Sequence, residues 1–197
     1  NFRGNYWKVE EPFASKIKRN IYSIPKDTAY PFLDPHFIVK FDGTREIGPS
    51  AALVFSPNAY KGLSETTTQF VKKIFERPLI PKIKLTTNKK FQSMVWHEWR
   101  ITISKKALSQ KMNRFIPTLK PTMLKTRGVA GVRSQLIDEN GFLPEPIIIE
   151  SPHTIHLLNY NSPGATGAPA FSAHLVSQIQ EKGHFDNLTI QKTQRHN

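Results

Sequence analysis

Fifteen prolines in 197 residues decide where regular structure in this chain has to stop. Proline fixes φ near about −65° and has no backbone N–H, so it ends a helix or confines a strand. Lys18–Ile24 reads as a short strand stopped by Pro25, and PKDTAYPFLDPHF reads as an extended loop held by its own φ restrictions. Phe37–Phe41 is a second strand, Asp42-Gly43 a hairpin signal, and Arg45–Gly48 the returning partner, which Ala51–Phe55 continues.

A helical section follows. Ser64-x-x-Thr67 opens a stretch with Phe70, Val71, Ile74 and Phe75 on one stripe, closed by Arg77-Pro78. Phe91, Met94, Val95 and Trp99 form another stripe. Ser104 caps a third helix carrying Leu108, Met112 and Phe115, which Pro117 ends. These large side chains are expected in the core. Beyond Arg127 strands return: Val132–Ile137 alternates, Asp138–Gly141 is a turn, Pro146–Ile149 is a buried strand and Thr154–Leu158 another. Phe171, Leu175, Val176 and Ile179 then make a helix face ending near Gly183, followed by a loose tail.

The loop NYNSPGATG, residues 159–167, joins the last strand to that helix. Proline is tolerated in the first helical turn, so Pro169 places the helix start near Ala165–Ala168, with Thr166 as N-cap. Unpaired N–H groups and the positive end of the helix dipole then face outward, an arrangement suited to partial negative charge.

Composition excludes several classes. There is no cysteine, hence no disulfide and no thiolate chemistry. No apolar run is long enough to span a bilayer as a helix. The net charge is +13, which favours an anionic partner, but the basic residues are dispersed in pairs beside apolar ones, as on a solvated face. No nucleic-acid-binding motif is present and nucleic acid is not expected as a partner. The first residue is Asn1, and NFRGNYW reads like the interior of a fold, which suggests a piece of a longer polypeptide.

The stretches FRGNYW, NIYSIPKDTAYPFLDPHF, DGTREIGPSAALVF, RGVAGVRSQLIDENG and LLNYNSPGATGAPA, in this order, resemble the C-terminal half of the FAD-dependent L-2-hydroxyglutarate oxidase/dehydrogenase family of D-amino-acid-oxidase-like flavoproteins. The resemblance covers about residues 1–182 and includes His97-Glu98-Trp99-Arg100. It implies an α+β fold: a mainly antiparallel substrate-binding lobe with helices over residues 1–135, a C-terminal return segment of an FAD-binding lobe over 136–183, and a tail over 184–197. The Gly-x-Gly-x-x-Gly fingerprint of that lobe does not occur in this sequence, so the first Rossmann unit is absent.

The resemblance also assigns residues. Ser162, Pro163, Gly164, Ala165 and Thr166, with Asn159 beside them, fall where the family's loop approaches the FAD isoalloxazine, and Gly164 stands where the family more usually has alanine. Arg133 matches an arginine facing the flavin, and its guanidinium can grip a carboxylate by two hydrogen bonds. His36 matches the histidine of a Gly-x-His-Phe motif, as a general base or a carboxylate donor, although Asp34-Pro35 replaces the family's small residue before it. Tyr22 belongs to the same substrate site. The implied partners are a small 2-hydroxy acid, the missing N-terminal FAD-binding half, and a quinone or oxygen as electron acceptor, in a cytoplasmic or peripheral-membrane setting. No metal is implied. The other reading is a basic non-catalytic module that binds an anionic partner.

Overall fold

In a computed structural model the hairpin at Asp42-Gly43 forms as its sequence requires. The structure describes residues 1–22, 24, 34–138, 141–143, 145–151, 154–160 and 164–183. Asp42 Oδ1 accepts from the Thr44 amide at 2.9 Å, Gly43 adopts φ 84°, and the Lys40 amide donates to the Thr44 carbonyl at 2.9 Å. The turn joins β2 (His36–Val39) to β3 (Arg45–Leu53), pairing Phe37 with Ile47 and His36 with Gly48.

The centre of the sheet is β1 (Phe2–Val9), for which the sequence suggested only a buried position. One edge of β1 pairs with β3, and the other with β4 (Leu124–Arg127) and β5 (Gly131–Arg133), all antiparallel. Arg3 and Asn5 interrupt the apolar alternation. Arg3 is nevertheless buried, because its Nη1 donates to the carbonyls of Ala59 and Gly62.

Lys18–Ile24 does not form the expected strand. Ile21 makes a single bridge to Phe37, and residues 14–16 form a 3-10 turn instead. Pro25 and most of the proline-rich loop lie outside the described residues.

Four helices follow β3: α1 (Thr67–Phe75), α2 (Leu79–Thr87), α3 (Lys89–Ile103) and α4 (Lys105–Met112). Thr66, not Ser64, caps α1 by accepting from the Gln69 amide. Asn88 caps α3 through the amides of Lys90 and Phe91, and Ser104 caps α4 as expected. The sequence reading places no helix at α2, whose first turn carries Pro81. Before Pro117, α4 stops at Met112.

Helices α3 and α4 supply Ile101, Leu108 and Met112 to a core with Trp7, Val9, Phe37, Ile47 and Leu124. The Trp7 ring also has Arg127 3.9 Å and Lys105 4.7 Å above it, cation–π contacts that let two charges lie against the core edge. The apolar stripe of α1 is not core. Val71, Ile74 and Phe75 are exposed, and so is Trp96 of α3. Periodicity shows that one helix face is apolar but not that this chain covers it.

One short pairing completes the fold up to Phe142: β6 (Ile137–Asp138) with β7 (Gly141–Phe142). The chain divides into compact units Asn1–Pro144 and Glu145–Asn197. The second unit contains the hairpin of β8 (Ile147–Ser151) and β9 (Thr154–Leu158), then α5 (Gly164–Glu181). The expected buried strand at Pro146–Ile149 is only half-buried, and Ile149 is exposed; a two-stranded hairpin cannot cover both of its own faces. Helix α5 begins at Gly164, so Thr166 lies within its first turn rather than capping it, and Pro169 lies inside the helix. The missing proline N–H would have met the Ala165 carbonyl, and Ala165 is exposed, so water can take that bond. The chain is thus α+β, with antiparallel sheets and five α-helices among the described residues. None of those helices is long and apolar enough to cross a membrane.

Candidate functional site

Strand alternation sorts the first unit into two faces. Trp7 and Val9 of β1 point to the helix-packed core, so Phe2, Gly4 and Tyr6 point the other way. Side chains directly paired across a sheet share a face. Arg133 pairs with Phe2 and Gly131 with Gly4, which places both on the face of β1 away from Trp7 and Val9; at this end α3 reaches that face too, where Phe2 stacks on Phe142 and Phe142 on Phe91. His36 neighbours Phe37, whose partner is Ile47 of the core, so His36 and its partner Gly48 also lie on that opposite face. Tyr6 joins them: a Cβ on Gly48 would come 2.7 Å from its ring. The one face therefore carries His36, Tyr6 and Arg133.

Glycines floor the space between them. The positions of Gly4, Gly48 and Gly128 are filled closely by Pro49, Tyr6 and Glu46 respectively. Gly131 differs, because a Cβ added there would meet nothing within 4 Å. Open space beside a half-buried guanidinium suits a flat, polar ligand that approaches the backbone closely. Burial also lowers the pKa of the Arg133 guanidinium, which stays a cation at any working pH.

His36 is buried and its Nδ1 lies 3.0 Å from the Asp34 carbonyl oxygen. A carbonyl has no proton to give, so Nδ1 carries the hydrogen and, in the neutral ring, Nε2 carries the lone pair. Burial lowers the His36 pKa, and the bond to Asp34 raises it less. Tyr22 stacks on the imidazole with ring centroids 4.4 Å apart. The structure thus brings Tyr22 and His36 together. Arg133 is at the other corner: three strand spacings across and five residues along β3 amount to about 20 Å between Cα atoms. His36 and Arg133 cannot hold one carboxylate between them.

The sequence reading missed four residues here. Tyr6 was quoted only as part of a motif; burial, then Glu46 and Tyr22, raise its pKa, so it is a neutral phenol on the site face. Asp34, Lys111 and Arg114 form an ionic cluster behind His36, with Lys111 and Arg114 at 3.1 and 3.0 Å from the two Asp34 carboxylate oxygens. Residues eighty positions apart leave no local signal of such a contact. The glycines Gly4 and Gly131, each within a motif stretch, were the signal available, since such glycines can mark a close approach.

In the second unit, Asn159 adopts φ 56°, and its Nδ2 donates to the Glu145 carbonyl at 2.8 Å, tying the two ends of the β8–β9 hairpin. Tyr160 stacks on Phe171 of α5 at 4.6 Å. Gly164, Ala165 and Thr166 are exposed in the first turn of α5, and a Cβ on Gly164 would meet nothing within 4 Å. The helix has 18 residues, and its first amides have no intrahelical partner. Ser162 and Pro163 lie outside the described residues.

No family model matches the chain. Curated relatives do. The chain is 29% identical over 187 residues to the mitochondrial L-2-hydroxyglutarate dehydrogenase of Homo sapiens, covering 92% of this chain and 39% of the relative. It is 31% identical over 196 residues to that of Dictyostelium discoideum, covering 95% and 41%. It is 33% identical over 168 residues to the L-2-hydroxyglutarate dehydrogenase of Indibacter alkaliphilus, covering 85% and 40%. The chain spans about two fifths of the length of these relatives.

Proposed function

The chain belongs to the L-2-hydroxyglutarate dehydrogenase family as a segment of it, and from that premise we propose that the polypeptide it serves oxidises a 2-hydroxy dicarboxylic acid, L-2-hydroxyglutarate, to the 2-oxo acid with FAD. The observation that carries the reading to particular residues is the shared sheet face, with Arg133 beside open space at Gly131 and His36 at the opposite corner. Residues 1–135 act as substrate lobe and 136–183 as the return segment of the cofactor lobe.

The chemistry supplied by bound FAD is acceptance of the hydrogen on C2 as hydride. This chain's residues do the rest. Arg133 takes one carboxylate in a planar two-bond grip and fixes the acid's orientation. His36 offers the Nε2 lone pair to the C2 hydroxyl proton, which leaves as C2 gives up hydride, so the oxygen becomes a carbonyl. The about 20 Å between their Cα atoms leaves room for both side chains and a five-carbon acid held at its two ends. Tyr22 covers the imidazole. When FAD is bound, Asn159 and the first turn Gly164–Thr166 would hold it through backbone amides, which favour negative charge, and the resemblance assigns Ser162 and Pro163 the same role. A quinone or oxygen takes the electrons away.

The test is turnover of L-2-hydroxyglutarate by the full-length polypeptide carrying this segment, followed with an artificial electron acceptor. The reading expects turnover that is lost in Arg133→Ala. Equal turnover in the variant would remove Arg133 from the site. No turnover in either, with salt-sensitive binding of duplex DNA, would favour the basic binding module instead.

A further inference from the structure

The ionic cluster behind His36 has no counterpart in the family motif, where a glycine stands at the position of Asp34. We infer that Asp34, clamped by Lys111 and Arg114, is a positioning residue that fixes the His36 ring as a single tautomer with its lone pair on Nε2. The inference rests on the reading of His36 as the base, but it concerns the ring itself.

The geometry runs in one chain of contacts. The Asp34 main chain accepts the Nδ1 hydrogen of His36 at 3.0 Å. The carboxylate of the same residue receives Lys111 of α4 at 3.1 Å and Arg114, just beyond α4, at 3.0 Å. Lys111 also lies 3.6 Å from Glu98 of α3, whose other oxygen accepts from the Ala51 amide of β3 at 2.7 Å. Ala51 is three residues beyond Gly48, the partner of His36. The cluster thus ties the start of the histidine's own strand β2 and its neighbour β3 to α3, α4 and the residue just beyond α4. Any residue at position 34 supplies a carbonyl. Only a carboxylate lets the helices hold that carbonyl at a fixed point under the ring.

Charge within the cluster is balanced. Asp34 and Glu98 face Lys111 and Arg114, so neither the two cations nor the two anions confront the imidazole uncompensated. His97 of α3, also with a pKa lowered by burial and then by Lys111, borders the same cluster. Burial pushes the Asp34 carboxyl up, but Lys111 and Arg114 together outweigh it and hold it below its ordinary value, so the clamp is intact at neutral pH. A base that must abstract a proton on each turnover gains from having one nitrogen already committed, since half of a tautomer mixture would present the wrong atom.

The experiment is nitrogen NMR of the ring in the 15N-labelled chain at neutral pH. The expected signature for His36 is a protonated Nδ1 and an unprotonated Nε2, changing to an averaged pair of signals in Asp34→Gly and in the double variant Lys111→Met/Arg114→Met. Arg114→Lys should restore part of the single-tautomer signature. A protonated Nε2 in the parent chain, or an unchanged signature in folded Asp34→Gly, overturns the inference. If the double variant does not fold, each single variant keeps one cation and gives the same reading at smaller amplitude. In the full-length polypeptide the clamp variants should lower kcat by up to about a hundredfold with KM little changed. Failure of the base reading looks different: His36→Gln would then turn over normally while the tautomer signature stood.

Discussion

Replacing Gly48 with alanine tests the packing of the site face most sharply. Gly48 has φ 154°, where L side chains are rarely found. Its added Cβ would lie 2.6 Å from the Asn5 carbonyl oxygen and 2.7 Å from the Tyr6 ring. The ring can turn aside. The carbonyl cannot, because β1 is held by ladders on both edges. Backbone strain of about 1–3 kcal/mol adds to overpacking of about 1–3 kcal/mol, so the expected loss is about 2–6 kcal/mol. Against a total stability of about 5–15 kcal/mol this is large. With a urea slope of about 1–3 kcal/mol per molar, the midpoint followed by tryptophan fluorescence should fall by at least about 0.7 M. Gly131→Ala is the control. Its Cβ meets nothing within 4 Å, and its midpoint should move by no more than about 0.5 kcal/mol in stability. A Gly48→Ala variant as stable as the parent, or equal losses at the two glycines, would refute the reasoning.

Arg133→Lys should raise KM for the dicarboxylate by about tenfold or more with kcat less affected, since an ammonium cannot reproduce the planar two-bond grip; steady-state kinetics check this. Met112→Ala removes a side chain with 0% exposure from the junction of α4 with the sheet and should cost about 2–5 kcal/mol in urea unfolding. His36 and His97 both have pKa values lowered by burial, so the folded state binds protons less readily than the unfolded chain. Stability should therefore be full above the unfolded value of about 6.5 and decline as pH falls toward the folded values, and His36→Gln should decline less. The lowered Asp34 carboxyl adds a second loss below about pH 4, because its contribution exists only above its unfolded value and fades as pH falls through the folded one. Urea midpoints measured across pH check both windows, and a midpoint that rises on acidification would contradict them. Asn88→Ala removes a side chain accepting from two amides at the start of α3, a loss of about 0.5–2 kcal/mol.

What could be read from the sequence was what adjacent residues determine. Asp42-Gly43 dictates its own turn, and Ser104 caps α4 through an amide three residues on. The stripe of Phe91 and Val95 gave α3 for the same reason. Long-range pairing was not legible. The central strand β1 carries Arg3 and Asn5 at positions that spoil its alternation, and only the carbonyls of a loop more than fifty residues away explain a buried arginine. Lys18–Ile24 has strand-like composition but gains no ladder beyond one bridge. Pro169 misplaced the helix start because the rule for proline assumes that the lost bond is buried, and at Ala165 it is exposed. The site followed the same division. Arg133 and His36 were found through motifs, whereas the cluster of Asp34, Lys111 and Arg114 depends on where α4 packs.

The central claim is that the open space beside Arg133 is where cofactor and substrate meet this lobe. Gly131→Leu in the full-length polypeptide extends a side chain into that space from a position where a Cβ meets nothing within 4 Å. Measured together, its urea midpoint should match the parent within about 0.5 kcal/mol in stability while oxidation of L-2-hydroxyglutarate falls by at least about a hundredfold. A stable variant that oxidises the acid at the parent rate would place the chemistry elsewhere.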